Sequence, residues 1–276
     1  MPELRITIPN ALMDALQDRA ARTGESSEQI ILSALADALE VDHPALFQVS
    51  NSTALTQGVF DGAVTIRELK EHGDFGLGTF DGLDGEMIAL DGVIYRADAG
   101  GNVTVADDTA LAPFAVITEF PDEPPFTLSS VASFSDLAAQ LDAHRQSDNL
   151  FYAVRMDGHF ARIKARAFPR QADGTMLAEA ASAQSEFTFT DVDATLVGFW
   201  TPTYARTINV AGWHIHALTA DLLRGGHVLD VGAEELQVRM AELAEVRMAI
   251  PATEEFLEAD LTQDVSDQLA RAESDH

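Results

Sequence analysis

Three of the eight histidines are spaced so that they could act together on one chemical task. His214 and His216 lie two residues apart in an apolar, strand-like stretch, so both imidazoles face the same side of a strand. A polar turn with two glycines, residues 221–226, precedes His227, and a hairpin there brings His227 beside the first pair. Three neutral imidazole nitrogens with a fourth position open are the ligand set of a catalytic zinc site.

Other interpretations of these histidines stay open on the residues alone. An HxH pair also occurs on the polar face of an ordinary sheet, without any metal. Iron, nickel and copper accept imidazole ligands as zinc does, and the same geometry fits cupin-type oxygenases and isomerases. We predict a divalent-metal site with zinc as the first choice, and we interpret the isolated histidines as surface or turn residues: His43, His72, His144, His159 and His276.

Composition narrows the possible partners. The 276 residues carry 17 Lys+Arg against 45 Asp+Glu, a formal charge of −28, and the few basic residues are scattered. Such a chain is repelled by nucleic acid and by anionic lipid, so we expect no nucleic acid and no membrane partner. The sequence has no cysteine and no uncharged apolar run of 18 residues, from which we expect no disulfide, no transmembrane helix and a cytoplasmic location.

The first forty residues form a pattern of their own. The sequence predicts a strand over residues 4–8, a helix that Asn10 caps and Gly24 ends, and a second helix after Ser26 or Ser27. Residues 3–40 thus resemble ribbon-helix-helix proteins, whose dimers place paired strands in DNA. Residues 1–46 hold three Arg against eight acids, so we interpret residues 1–43 as a dimerisation or docking element rather than a DNA reader.

The remaining chain, residues 44–276, is predicted to be one catalytic body rich in β-structure. Asp-Gly pairs between apolar runs indicate hairpins, and residues 150–168 and 186–200 alternate as strands do. Short helices are predicted around Ile66–Lys70 and over Ser133–His144, and an acidic helical tail over residues 252–276. The expected fold class is α/β of the α+β type, a mixed-sheet body in two parts with a strand-helix-helix extension.

Several stretches of this body resemble, in order, the alpha-acetolactate decarboxylase family. The resemblance runs from about Leu46 to the C-terminus and implies an enzyme that uses zinc to decarboxylate 2-acetolactate to acetoin, as a homodimer or higher homo-oligomer of two-domain subunits. The matching stretches are Gly58–Gly62, His72–Phe80, Gly82–Glu86, Pro113–Val116, Arg166 with Pro169–Gln171, Gly198–Phe199 with Thr201–Pro202, and Ile208–Asp230.

The resemblance also implies roles for single residues. The zinc ligands would be His214, His216 and His227, with Glu86 as the acid near the metal and Arg166 as the substrate-binding arginine. Glu273 falls where the family has a tail glutamate that folds over the site. Neighbouring acids of the tail that could be aligned in its place are Glu254, Glu255 and Glu258.

The chemistry agrees with this assignment. Loss of CO2 from 2-acetolactate leaves an electron pair held as an enediolate, which a divalent cation on the hydroxyl and ketone oxygens stabilises. One acid, Glu86 or Glu273, must then protonate one face of the enediolate and so fix the handedness of the product. Two alternatives are a related enzyme for another branched 2-hydroxy-3-keto acid, and a metabolite-sensing regulator that uses the N-terminal element.

Overall fold

The computed structural model of the chain describes residues 5–24, 26, 27, 30, 31, 34, 35, 38 and 44–262. The chain divides into two compact units, Met1–His43 and Pro44–His276. None of the described helices is long and apolar enough to span a bilayer.

The first unit contains the helix α1, Asn10–Thr23, which ends at Gly24 as the sequence predicts. Pro9 occupies the N-cap position and its carbonyl accepts from two backbone amides of the first turn, so Asn10 is the first helical residue rather than the predicted cap. The described residues 27, 30, 31, 34, 35 and 38 are also helical. Residues 5–9, which include the described part of the predicted strand over residues 4–8, have no strand pairing within this chain. In the ribbon-helix-helix pattern this strand pairs with the strand of a second copy, so the strand stays a prediction.

Within residues 44–262, short helices and turns connect fourteen strands. The strands are β1 (Ala45–Val49), β2 (Val64–Thr65), β3 (Phe75–Thr79), β4 (Glu86–Leu90), β5 (Val93–Ala97), β6 (Val103–Val105), β7 (Leu111–Ala112), β8 (Ala115–Thr118), β9 (Phe126–Val131), β10 (Phe151–Ala167), β11 (Ser185–Thr201), β12 (Gly212–Thr219), β13 (Gly225–Leu243) and β14 (Glu245–Ala249). The helices are α2 (Ser52–Thr56), α3 (Ile66–Leu69), α4 (Phe134–Asp142), α5 (Leu177–Ser182) and α6 (Glu254–Glu258), with 3-10 turns at Asp81–Leu83 and Thr203–Ala205.

Two sheets dominate this unit. The seven-stranded sheet has the order β14-β1-β8-β3-β4-β5-β6 and is mixed, because β1 pairs with β14 in parallel and its other pairs are antiparallel. The five-stranded sheet has the order β10-β11-β12-β13-β9, and β10 also pairs with β13, so four long strands form a closed cycle of pairings. The fold is therefore of the predicted α+β type and consists mainly of sheet.

The side chains of β12 alternate between two apolar clusters. Trp213, Ile215 and Ala217 pack into a cluster that contains the strands of the cycle and the buried residues of α4. Leu218 packs on the opposite side, in a cluster shared with residues of β3 and β4 from the seven-stranded sheet. The period of two along this strand therefore directs every second residue into the space between the two sheets.

Local sequence signals placed most of these elements correctly. Asp91 and Gly92 join β4 to β5 with φ angles of 52° and 77°, the positive values that a type I′ hairpin turn requires. Ser133 caps α4 through a bond from the amide of Asp136. The described part of the predicted tail helix over 252–276, residues 252–262, is helical at α6, and residues 263–276 lie outside the described residues.

We expect Gly76→Ala to destabilise the fold by about 1–3 kcal/mol, because there is no room for another atom between paired strands. A Cβ at Gly76 in β3 would lie 2.2 Å from the carbonyl oxygen of Val116 in β8. At Gly232 in β13 the nearest atom is 3.6 Å away, so the control Gly232→Ala should stay within about 0.5 kcal/mol of wild type. Urea unfolding of the three proteins measures both values, and equal losses would contradict the packing argument.

Candidate metal centre

The hairpin of β12 and β13 brings the three predicted histidines together. His216 is the direct cross-strand partner of His227, and His214 precedes His216 by two residues on the same side of β12. All three are buried, with at most 7% of their surface exposed. One nitrogen from each ring lies within 4.8 Å of the other two, so the three imidazoles converge on one point between the sheets.

The spacing of these nitrogens fits a metal ion. His214 Nε2 and His216 Nε2 are 3.1 Å apart. A tetrahedral ion bound at about 2.0–2.1 Å separates its nitrogen ligands by about 3.3 Å, close to that distance. Among the described residues this is the only group of histidines and acids whose ligand atoms converge in this way. The donor set therefore suits a single divalent ion.

The second ring nitrogen of His216 is held by the opposite sheet. His216 Nδ1 lies 2.8 Å from the backbone carbonyl oxygen of Met87 in β4. A carbonyl can only accept, so Nδ1 carries the proton and the Nε2 lone pair is directed toward the other two histidines. This bond sets the tautomer and the orientation of the ring, both of which a metal ligand needs.

Burial keeps the imidazoles neutral. Burial, with a smaller effect from the positive charge of Arg166, lowers the pKa of His214 to about 3. Burial also lowers the pKa of His216 well below its usual value, with a smaller effect from His214. Neutral rings at pH 7 present free lone pairs, so the site does not need to lose protons before an ion binds.

Glu86 and Arg166 meet the histidines from different strands. Glu86 is the first residue of β4, and Arg166 in β10 is the cross-strand partner of His227. Arg166 Nη1 is 3.4 Å from Glu86 Oε1, and Glu86 Oε2 is 3.5 Å from His216 Nε2. Both side chains are buried, with 1% of Arg166 and 4% of Glu86 exposed, so their opposite charges compensate each other inside the protein.

A cavity adjoins these polar groups and has one apolar side. It is lined by His214 and His227, by Thr79, Glu86 and Arg166, and by apolar side chains from two short helices, a 3-10 turn and loops next to strands: Leu55, Leu83, Phe114, Phe168, Leu177 and Val210. A lining that combines a few charged groups with apolar side chains is typical of small-molecule sites.

Sequence reasoning missed several residues of this site. Thr79, Leu83 and Phe168 line the cavity, and the carbonyl of Met87 orients His216. Thr79, Leu83 and Phe168 stand inside or beside stretches that carried the family resemblance, which was the available signal. A backbone carbonyl has no side-chain signature, so no residue-type pattern could have indicated Met87.

Glu273 lies outside the described residues. The alternative tail acids are on α6, where Glu255 accepts a 2.9 Å hydrogen bond from the amide of Asp61. Glu254, Glu255 and Glu258 are not among the residues that line the cavity. Of the acids named from the sequence, Glu86 is thus the one that the described part of the chain brings to the histidines.

A buried cluster of three imidazoles that could hold a divalent ion, with a carboxylate and a guanidinium beside a cavity, is the kind of site that metal-dependent enzymes use, here in a mixed-sheet fold. The sequence model of the alpha-acetolactate decarboxylase family matches residues 46–263. The chain belongs to the alpha-acetolactate decarboxylase family.

Individual relatives agree with this membership. The chain is 43% identical over 229 residues to the alpha-acetolactate decarboxylase of Methanosarcina mazei, covering 83% of this chain and 80% of the relative. It is 39% identical over 231 residues to that of Brevibacillus brevis, covering 83% and 81%. The crystal structure of the enzyme from Bacillus subtilis strain 168 superposes with a TM-score of 0.81 at 33% identity, covering 84% of this chain and all of the other.

We expect His216→Ala to abolish tight divalent-metal binding, since it removes one of three ligands and the ring that links the two sheets. Metal analysis by mass spectrometry should find about one ion per chain in wild type and far less in the variant. His159→Ala is the matched control, because His159 is exposed and, within the part of the chain that the structure describes, its hydrogen bonds are to Asp191 and Asp193. Full metal content in His216→Ala would contradict the assignment.

Proposed function

We propose that this protein is a zinc-dependent carboxy-lyase that converts 2-acetolactate to acetoin and CO2. The observation that carries the proposal is the meeting of a carboxylate and a guanidinium with three buried imidazoles at one cavity. Relatives that carry the name alpha-acetolactate decarboxylase at 35–43% identity support the same reaction.

The reaction breaks one bond and forms one. The bond between C2 and the carboxylate carbon breaks, CO2 leaves, and the electron pair moves toward the neighbouring ketone oxygen as an enediolate. A proton then forms the new C–H bond and yields acetoin. A divalent ion held by the three histidines supplies positive charge beside the oxygens on which this negative charge develops.

The side chains of the chain supply orientation and a proton. Arg166 presents a planar guanidinium that pairs with the substrate carboxylate or the neighbouring oxygens. We assign the proton transfer to Glu86 Oε2, because that oxygen lies 3.5 Å from His216 Nε2, at the edge of the ligand cluster. Glu86 would donate as the protonated carboxylic acid, would be left as the carboxylate that pairs with Arg166, and would take up a proton from solvent before the next turnover. Glu273 is the second candidate for this step. The apolar side of the cavity excludes water, so proton delivery from solvent is disfavoured.

Replacing Glu86 by Gln is expected to lower kcat by about 10²–10⁴-fold while metal content stays near wild type, because the amide keeps the shape but cannot deliver the proton. Acetoin release from racemic 2-acetolactate and the handedness of the product measure this. Glu258→Gln is the control on an exposed acid of α6.

The companion variant Glu273→Gln separates the two candidate donors. A large loss of activity and of product handedness there, together with an active Glu86→Gln enzyme, would transfer the proton step to the tail. Failure of the metal-loaded wild type to form any acetoin would reject 2-acetolactate as the substrate.

We further propose that residues 1–43 are an element through which copies of this chain associate. The unit leaves large apolar side chains uncovered, with Ile6, Leu12 and Leu35 exposed to 60%, 62% and 43%. A small strand-helix-helix unit has too little chain to bury these faces by itself, and a second copy presents a matching apolar surface.

A chain that begins near Leu46 should therefore keep its activity and lose association. Sedimentation at equal protein concentration, with acetoin assays in parallel, measures both properties. Leu12→Glu in the full chain tests the same surface without a deletion and should also weaken association. A truncated protein that stays fully associated would show that this role is wrong.

A further inference from the structure

The guanidinium of Arg166 lies against an aromatic ring. Its Cζ atom is 4.5 Å from the ring centroid of Phe168, and both side chains are buried, with 1% and 3% of their surface exposed. A cation within about 6 Å of a ring face is attracted by the negative potential of that face, and more strongly so when both groups are out of water.

The contact with Phe168 helps to fix the orientation of the Arg166 side chain. Its side chain is long and rotates about several bonds, and its contact from Nη1 to the Glu86 carboxylate, at 3.4 Å, is longer than the roughly 2.7–2.9 Å of a strong charge-assisted hydrogen bond. Glu86 in turn faces His216 at 3.5 Å, so that carboxylate cannot be placed for Arg166 alone. The ring of Phe168 contacts the face of the guanidinium, so this contact uses none of the hydrogen-bond donors of Arg166.

Phe168 is itself fixed relative to the site. The segment 168–171 that follows β10 is tied to the 3-10 turn Asp81–Leu83 by a bond from the amide of Gln171 to the carbonyl of Gly82, at 2.8 Å. Arg170 reinforces the tie with bonds to the backbone carbonyl of Asp81 at 3.0 Å and to its carboxylate at 2.6 Å. Because this turn leads directly into β4, these bonds fix the position of the segment that carries Phe168 relative to Glu86, the first residue of that strand.

We infer that Phe168 is a positioning residue, which holds the Arg166 guanidinium through a cation–π contact so that its charge faces the anionic part of the substrate. The inference rests on the proposed function for the identity of that anion. It adds a group whose effect passes through Arg166 rather than through direct contact with the reacting atoms.

Phe168 also lines the cavity, so its contribution as a plain apolar surface must be separated from its attraction for the cation. Fluorine atoms on the ring withdraw electron density from its face while changing its shape little and making it no less apolar. Successive fluorination therefore weakens a cation–π contact step by step. A purely apolar role predicts no loss, or a small gain.

The experiment uses the full-length, zinc-loaded protein with Phe168 replaced in turn by mono-, di- and trifluorinated phenylalanine. The probe is 2-hydroxyisobutyrate, which keeps the tertiary hydroxyl and the carboxylate but has no ketone to accept the electron pair. Its Kd should rise with each fluorine, by about tenfold over the series, because the desolvated attraction is progressively lost. The KM for 2-acetolactate should rise in parallel, with a smaller change in kcat and unchanged zinc content.

Phe189 offers a matched control, since the Arg224 guanidinium lies 5.0 Å from its ring centroid and it is not among the residues that line the cavity. The same fluorinated series at Phe189 should leave both Kd and KM unchanged. Phe168→Leu, which removes the ring but keeps an apolar side chain, should weaken probe binding at least as much as trifluorination.

A flat or rising affinity across the Phe168 series would overturn the positioning role, as would an equal loss across the Phe189 series. Either result leaves the proposed reaction intact as long as the wild-type protein releases acetoin. Absence of acetoin from the wild type would count against the proposed reaction instead, and the Kd series for the probe would still decide the role of Phe168.

Discussion

The hydrogen bond between His216 Nδ1 and the carbonyl of Met87 is the contact on which the site depends. It crosses from the five-stranded to the seven-stranded sheet, at a distance of 2.8 Å. One end of the bond orients a ring of the histidine cluster, and the other end belongs to β4, the strand that begins with Glu86. This bond therefore fixes the histidine cluster and Glu86 relative to each other, and neither sheet could supply the site without the other.

The low-dielectric space between the sheets sets a second constraint. Arg166 and Glu86 are charged groups taken almost completely out of water, which is costly unless each is compensated. Their mutual contact supplies part of that compensation, and the ring of Phe168 lies on the guanidinium as well. The same cost explains the neutral histidines, since burial disfavours their protonated forms and thereby leaves lone pairs for an ion. The burial of these groups thus explains both why the charged pair must be compensated and why the histidines are neutral and able to bind a divalent cation.

Much of this could be predicted from the sequence because the relevant signals are local. The alternation of His214 and His216, the glycine turn before His227 and the cap at Ser133 each specify geometry within a few residues, and the structure agrees. The approach of Glu86 to Arg166 could not be predicted from periodicity, because it joins positions 80 residues apart across two sheets; only the family resemblance indicated it. The N-terminal strand is predicted from alternation, and its neighbour in the ribbon-helix-helix pattern is a second copy of the chain, so it stays a prediction.

The negative charge of the whole chain makes the buried positive charge of Arg166 important for binding an anion. A chain at −28 repels a carboxylate substrate at a distance, and this repulsion is screened within about 8 Å at physiological ionic strength. Attraction for the anion must therefore come from charges at the site itself, where little water intervenes. Arg166 is 1% exposed and lines the cavity beside two of the three histidines, so its charge acts there with little screening. The acidic surface therefore does not prevent the cavity from binding an anion. Solvent screens the surface charges, whereas the field of the few buried cations is concentrated in the protein interior.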